Sequence, residues 1–540
     1  MSRNCLIISR SEDALELNQK ITNTFYIEDY LQVANVTEVR KLVDKIFLVN
    51  KNFIDEYDYC GYKITWSWYD EIFQFCNYYL EILDLIKVIE KLEFENLEIG
   101  QITPQHRKVL VTYFADKNLI YQHKQKWQFE FVKEFLFNFM MLGYSILSIS
   151  FLSFKNQKRI GTYTGDFIFK DTKSDFRLNH LYSKYKENQI NYVEFIRETT
   201  IKNFFANIVK RRKPAIYFNS IKYFVSLLTK KSIYKKTPKD FFQAILYEYH
   251  NTNIVFIKSV PFIEKILNVL KIHKFVLISF SSRSALIAIA AKSQNIKTIG
   301  IMHGLSQKEY VIQEFLESYS EKKKIGCDIF GVWSDYYLSY FKKYSKVMSP
   351  NNISYSGLLR PIENFYTSLS FKAISKKTIK ILLISEPLVS VKEVVPYINS
   401  LLMHKNIEIS IKVRPMIKDK YYEELKTELP KIKEFTIYDG KIEDVAQKFD
   451  VFIGSMSTAI IEACLFAKIS VLLNTKKFGD YYKIDELIPD YPLLVRDSEL
   501  IYDHIIDRIA KEKSLNSIGT IRNRYFGENK DGAQWILEQF

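Results

Sequence analysis

The sequence predicts an α/β protein of two Rossmann-like domains facing a cleft, the first carrying an insertion. Three observations predict it. From residue 378 onward, short apolar runs alternate with amphipathic helical stretches, the pattern of a parallel sheet with crossover helices. A second series of such runs lies upstream, and 540 residues are too many for one ordinary core.

Taken in chain order, "CLIISR" and "KIFLVN" read as strands, and "NLEIGQITPQHRKVLVTYFADKNLIY" reads as strand, turn and helix. These make residues 1–125 the first part of an amino-terminal Rossmann-like domain. Its second part, 251–365, takes strands from "NIVFI" (253–257), "FVLIS" (275–279) and "TIGIM" (298–302). The carboxy-terminal domain, 366–520, takes them from "TIKILLIS" (378–385), "IEISIKV" (407–413), "FTIY" (435–438), "VFI" (451–453), "ISVLL" (469–473) and "PLLV", with a long helix to follow. In "IEISIKV", Ile407, Ile409, Ile411 and Val413 alternate with polar residues at period two, which sets Lys412 and Arg414 on one face.

Residues 126–250 read as the insertion. Positions 135–154, "FLFNFMMLGYSILSISFLSF", hold no charge over a length that would cross a bilayer as a helix. Four Ser and one Asn interrupt the run and its second half alternates, so a buried helix–strand pair is the expectation, ahead of an interfacial membrane segment and of a span. "KRRKP" (210–214) and "KKSIYKK" (230–236) form either a solvated face or an attachment to an anionic membrane surface.

Composition narrows the class. Hydrophobic residues at 47%, with 16 Gly and 12 Pro, argue against disorder or a fibrous repeat. Five scattered cysteines, never in Cys-x-x-Cys spacing, suit a reducing compartment, and "CLIISR" is too short for the apolar core of a secretory signal. The expected location is the cytoplasm, including the inner face of its membrane. A net charge of +15, from 77 Lys and Arg against 62 Asp and Glu, calls for anionic partners. The basic stretches fall in the insertion and form no recognisable nucleic-acid module, so nucleic acid is not expected. No phosphate loop, His-Glu-x-x-His, Gly-x-Ser-x-Gly or finger-type Cys/His spacing is present.

Three strand-end segments carry candidate chemistry. "GSMSTAIIEA" follows the 451–453 strand: Gly454 permits close approach, Ser455, Ser457 and Thr458 offer hydroxyls beside free backbone N–H groups, and Glu462 lies one turn on to accept from ribose hydroxyls. "KVRP" places Lys412 as a point charge and Arg414 as a planar fork on the same crevice, where both suit a phosphate. "GIMHGLSQKEY" brings His303 to a strand end beside Gly304, as a general base or an orienting group. Ser385 and Glu386, in "SEP", end a further strand at the same edge, and "SSRS" (281–284) does so in the first domain.

Together the strand-final His-Gly, the "KVRP" turn and the segment Asp450, Gly454, Ser455, Ser457, Thr458, Glu462, Ala463 resemble the GT-B transferases of bacterial surface carbohydrate synthesis. These include capsule and lipopolysaccharide Kdo transferases, bacterial sialyltransferases and teichoic-acid glycerophosphotransferases. The resemblance covers about residues 250–540 well and the remainder loosely. It implies a GT-B fold in which the final helix, within 521–540, packs back on the first domain. It also implies a nucleotide-sugar donor, CMP-linked and bearing Kdo or another acidic sugar, with a surface polysaccharide or lipid-linked glycan as acceptor. Catalysis would rest on His303 and Arg414, and donor binding on Lys412, Arg414, Gly454, Ser455, Ser457, Thr458, Glu462, Ser385 and Glu386, with no metal and no cofactor beyond the donor. Arg414 stands where these families usually place His, and an Arg supplies charge but no proton, so electrostatic stabilisation would carry that step. The alternatives are transfer of a glycerol or ribitol phosphate from a CDP-linked donor, and a non-catalytic protein that binds polysaccharide or nucleic acid.

Overall fold

The computed structural model describes residues 4–9, 23–92, 94, 96–115, 118–121, 127–165, 175–197, 199–211, 213–310, 313–359, 378–413, 420–429, 435–440, 442–489 and 492–540. Arg414 and Arg212 lie outside them, as does the tail of the "KVRP" turn.

Three parallel sheets organise the chain. The first takes β1 (Asn4–Ile8), β2 (Asn23–Tyr26), β5 (Asn96–Ile99) and β6 (Asn118–Tyr121) in the order β2-β1-β5-β6, while β3 (Asp58–Tyr59) and β4 (Tyr62–Lys63) form a short antiparallel pair apart from it. The second is seven-stranded, built from β7 (Arg159–Thr164), β8 (Tyr192–Ile196), β9 (Ala215–Tyr217), β10 (Ile272–Ile278), β11 (Lys297–Ile301), β12 (Ile329–Val332) and β13 (Ile353–Tyr355). Its order is β13-β12-β11-β10-β7-β8-β9. The third comprises β14 (Ile379–Ile384), β15 (Ile407–Lys412), β16 (Thr436–Tyr438), β17 (Val451–Gly454), β18 (Ile469–Leu473) and β19 (Leu494–Val495), in the order β16-β15-β14-β17-β18-β19. In both larger sheets the strand order reverses beside the first strand of a half, the position where open α/β sheets form a ligand crevice beyond their carboxyl ends.

The division of the first half differs from the expected one. Residues 126–250 are no insertion: they supply β7, β8 and β9, and β7 pairs directly with β10. Residues 1–125 form their own sheet instead of sharing one with 251–365. These strands escape pattern reading because "RIGTYT", "YVEFI" and "AIY" are short and rich in Gly, Thr and Tyr, without a Val/Ile/Leu run.

Two expected strands are helices. "KIFLVN" closes the helix Val36–Val49, whose buried residues Val36, Val39, Val43 and Ile46 recur every three or four positions. "NIVFI" lies in the helix His250–Val269, where Asn253, Phe256, Val260, Ile263 and Leu267 keep the same period. The 135–154 run is likewise one continuous helix, Trp127–Phe154, and not a buried helix–strand pair; only 17% of Val132–Phe154 is buried.

Candidate active site

The carboxyl ends of the second and third sheets meet. Within the third sheet, Ile384 pairs with Lys412 and Leu383 with Ile453, so the chain emerges from β14, β15 and β17 at one edge. Ser385, Lys412 and the Gly454 turn therefore sit side by side. From the second sheet, β11 delivers His303 and Gly304 to the opposite wall. A Cβ placed on Gly304 would lie 3.7 Å from Thr458 Oγ1, which sets the two strand-end loops in near contact. The tyrosines between them complete the join. Tyr482 bonds both Thr458 and the Met456 carbonyl, and the Tyr481 hydroxyl donates to the Leu305 carbonyl at 3.5 Å.

Local geometry explains the Gly454 turn. A Cβ there would come within 2.5 Å of Ile460 Cδ1 and 3.3 Å of the Ile384 carbonyl oxygen, so the backbone passes too close to β14 and to the next helix for a side chain. That helix, Thr458–Glu462, has only five residues before a 3-10 turn, Ala463–Phe466. The expected helix dipole is correspondingly small, and anion binding at this turn would rest on N–H groups and hydroxyls. Ser457 occupies the N-cap position yet makes no capping bond through its side chain, so capping does not account for its hydroxyl.

The remaining third-sheet candidates are more enclosed. Ser385 and Glu386 are 1% and 2% exposed, and Glu386 Oε1 accepts the Leu388 N–H at 3.3 Å, which ties it to its own turn. Lys412 is buried, with Nζ donating to the Val413 carbonyl at 2.7 Å. Asp450 accepts the Lys380 N–H at 3.0 Å, an inter-strand role that locks β17 to β14 away from the crevice. Burial raises the pKa of the Cys464 thiol, which lies within electrostatic reach of Glu462 and of Arg522 from the helix Ser517–Tyr525.

On the opposite wall the structure adds residues that the sequence motifs did not reach. His303 is exposed, its N–H donating to Ser279 Oγ at 3.2 Å, and Arg177 Nη1 stands 3.3 Å from its Nε2. A guanidinium only donates, so in this contact Nε2 accepts and the ring proton sits on Nδ1. Arg177 is held by the buried Asp175 (Nε to Oδ1, 2.8 Å), which also accepts from Thr164 Oγ1 at 2.9 Å where β7 ends. Asp175 and Arg177 come from the stretch read as an insertion; only their "D-x-R" spacing was visible, and it carries no specificity. In the loop after His303, Gln307 is fully buried and neither end of its amide has a partner.

No family model and no curated protein matches the chain. Among solved structures, a glycosyltransferase from Rickettsia africae is similar over 71% of this chain and 98% of its own, at 15% identity and a TM-score of 0.41. A UDP-GlcNAc 2-epimerase from Neisseria meningitidis bound to UDP-GlcNAc covers 71% and 99%, at 11% identity and 0.42. The Staphylococcus aureus MnaA–UDP complex covers 71% and 95%, at 11% identity and 0.43. Likeness at this level identifies no activity. What the chain itself displays is a GT-B-like α/β architecture, two parallel Rossmann-like sheets whose carboxyl ends face each other across a cleft.

Proposed function

We propose that the protein is a glycosyltransferase that takes its sugar from a nucleotide donor. The observation that carries this reading is the opposition of Gly304 and Thr458 across the cleft, with a hydroxyl-rich turn on one wall and a His on the other. In this reading Gly454, Ser455, Ser457 and Thr458 hold the donor phosphates through backbone N–H groups and hydroxyls, with Lys412 supplying charge from β15, two strands away across β14. His303 faces the acceptor hydroxyl. To take its proton at Nε2 the imidazole first exchanges its contact with Arg177, whose guanidinium stays on Asp175 as a fixed group beside the His303 ring. The motif resemblance makes the donor CMP-linked, with an acidic sugar such as Kdo, and the acceptor a surface polysaccharide or lipid-linked glycan.

A thermal-shift titration of CMP, CDP, UDP, GDP and ADP tests the site. A ligand that binds only the folded state stabilises it by about 2.7 kcal/mol at a hundredfold excess over Kd. The expected result is stabilisation by a cytidine nucleotide that is lost in Ser457→Ala/Thr458→Ala. Stabilisation by UDP alone would keep the transferase and overturn the CMP donor; no response to any nucleotide would overturn the reading.

A further inference from the structure

The helix Trp127–Phe154 is built inside out. Its buried stripe is Met141, Ser145, Ser148 and Leu152, at spacings of four, three and four residues. Both serines serve the edge strand: Ser145 Oγ accepts the Tyr217 N–H at 2.9 Å and Ser148 Oγ accepts the Ala215 N–H at 3.3 Å. The opposite arc presents Phe135, Leu136, Phe139, Ile146, Leu147 and Phe151, all more than a third exposed, with Leu147 at 70%. At 1.5 Å per residue the uncharged stretch from 135 to 154 runs for about 30 Å. Its neighbour, the helix Phe218–Leu228, extends the face: Phe224 and Leu227 line a groove with Phe135, Phe139 and Leu142, and Leu228 is 64% exposed. A core helix hides such residues, and a face of this size marks an interaction surface.

Charge selects the occupant. Residues 199–239 contain eleven Lys and Arg and no Asp or Glu, and residues 135–165 contain three Lys and Arg and no acid. Lys155 and Lys158 follow the long helix directly, while Lys230, Lys231 and Lys235 follow the exposed end of its neighbour, with Ile233 91% exposed among them. Two copies meeting through this face would bring these like charges together. A nucleic acid would match the cations and leave the apolar arc unused.

We propose that this face docks on an anionic phospholipid bilayer, the long helix lying in the plane of the interface with its apolar arc at the acyl boundary and the flanking lysines among the headgroups. The Ser145 and Ser148 bonds keep the helix on β9, which is why it lies along the membrane and does not cross it. This proposal is independent of the transferase reading, since it uses no residue of the cleft.

The test is co-sedimentation of the full chain with phosphatidylcholine vesicles with and without phosphatidylglycerol. Wild type is expected to partition onto the anionic vesicles, and Phe139→Glu/Leu147→Glu and Lys230→Glu/Lys231→Glu/Lys235→Glu each to lose at least about tenfold in partitioning. A separate Leu147→Trp variant, folded by its melting curve, is expected to be quenched by brominated lipid. Failure of wild type to bind anionic vesicles, or glutamate variants that bind like wild type, would overturn the proposal. So would an unquenched Trp at 147, or retention in cell membranes after a carbonate wash, which would indicate a span. A concentration-dependent dimer abolished by Phe139→Glu/Leu147→Glu, without vesicle binding, would assign the face to a second copy.

Discussion

Glu314 is a carboxyl almost without water. It is 3% exposed, its Oε1 accepts the Phe280 N–H at 3.3 Å, and burial, aided by the Asp70 carboxylate, pushes its pKa up to about 8. Between the ordinary carboxyl value and about 8 the folded chain keeps a proton that the unfolded chain has lost, so this group makes stability fall as pH rises through that window. The effect is on the order of a few kcal/mol for a fully buried carboxyl. Asp44 and Glu71, pushed to about 6 and about 7 by burial, act in the same direction. The measurement is therefore a difference: the melting temperature of Glu314→Gln minus that of wild type is expected to be larger at pH 8 than at pH 5. An equal difference at both values would mean that Glu314 ionises normally. None of this was legible in the sequence, where Glu314 sits in the mixed stretch "VIQEFLESY" that shows no sign of which side chains are enclosed. His303 and the Ser/Thr turn were legible because strand ends can be read locally, but Arg177 reaches His303 across 126 positions.

A helix can protect a sheet edge as well as fill a core. β9 closes one side of the second sheet, and its outward N–H groups at Ala215 and Tyr217 would lie buried without partners but for the two serine hydroxyls. Ser145→Ala and Ser148→Ala are each expected to cost about 1–3 kcal/mol in urea unfolding, the penalty of an orphaned buried donor. A loss well below this at both sites would mean that water reaches β9. The same helix shows why periodicity misled: within 145–154 the apolar residues fit an alternating pattern, and the deciding signal was the Met141, Ser145, Ser148, Leu152 stripe, half of it polar. "KIFLVN" and "NIVFI" went astray for a related reason, because six- and five-residue windows hide the helical period that their flanks maintain. In the third sheet the reading succeeded because short runs such as "ISVLL" are largely apolar and buried on both faces.

The whole molecule is held by a return path. After the helix Ser517–Tyr525 the chain leaves the third sheet and runs back to the second: Ser334 Oγ donates to the Arg524 carbonyl at 2.6 Å, and His180 meets Asp531 at 2.9 Å. The helix Gly532–Glu538 then places Ala533 and Ile536 in a core with Ile160, Val276, Ile299 and Ile301. Lys274, whose pKa desolvation lowers, donates to the carbonyl oxygens of Gln539 and Phe540 at 2.5 and 2.6 Å. Gly357 is the pivot. Its φ of +77° lies in the left-handed region, and a Cβ there would stand 2.2 Å from the Lys530 carbonyl oxygen, a backbone atom that cannot step aside alone. Gly357→Ala is expected to cost about 2–4 kcal/mol, from the unfavourable φ and the displaced strand of contacts together. It is also expected to speed tryptic cleavage after Lys530. Gly143→Ala is the control with the opposite sign: nothing lies within 4 Å of its Cβ, and inside a helix the change should gain up to about 1 kcal/mol. If Gly357→Ala melted like wild type with Lys530 still protected, the carboxy-terminal return would not be what joins the second and third sheets, and the tyrosine contacts around Tyr481 and Tyr482 would have to hold the cleft together.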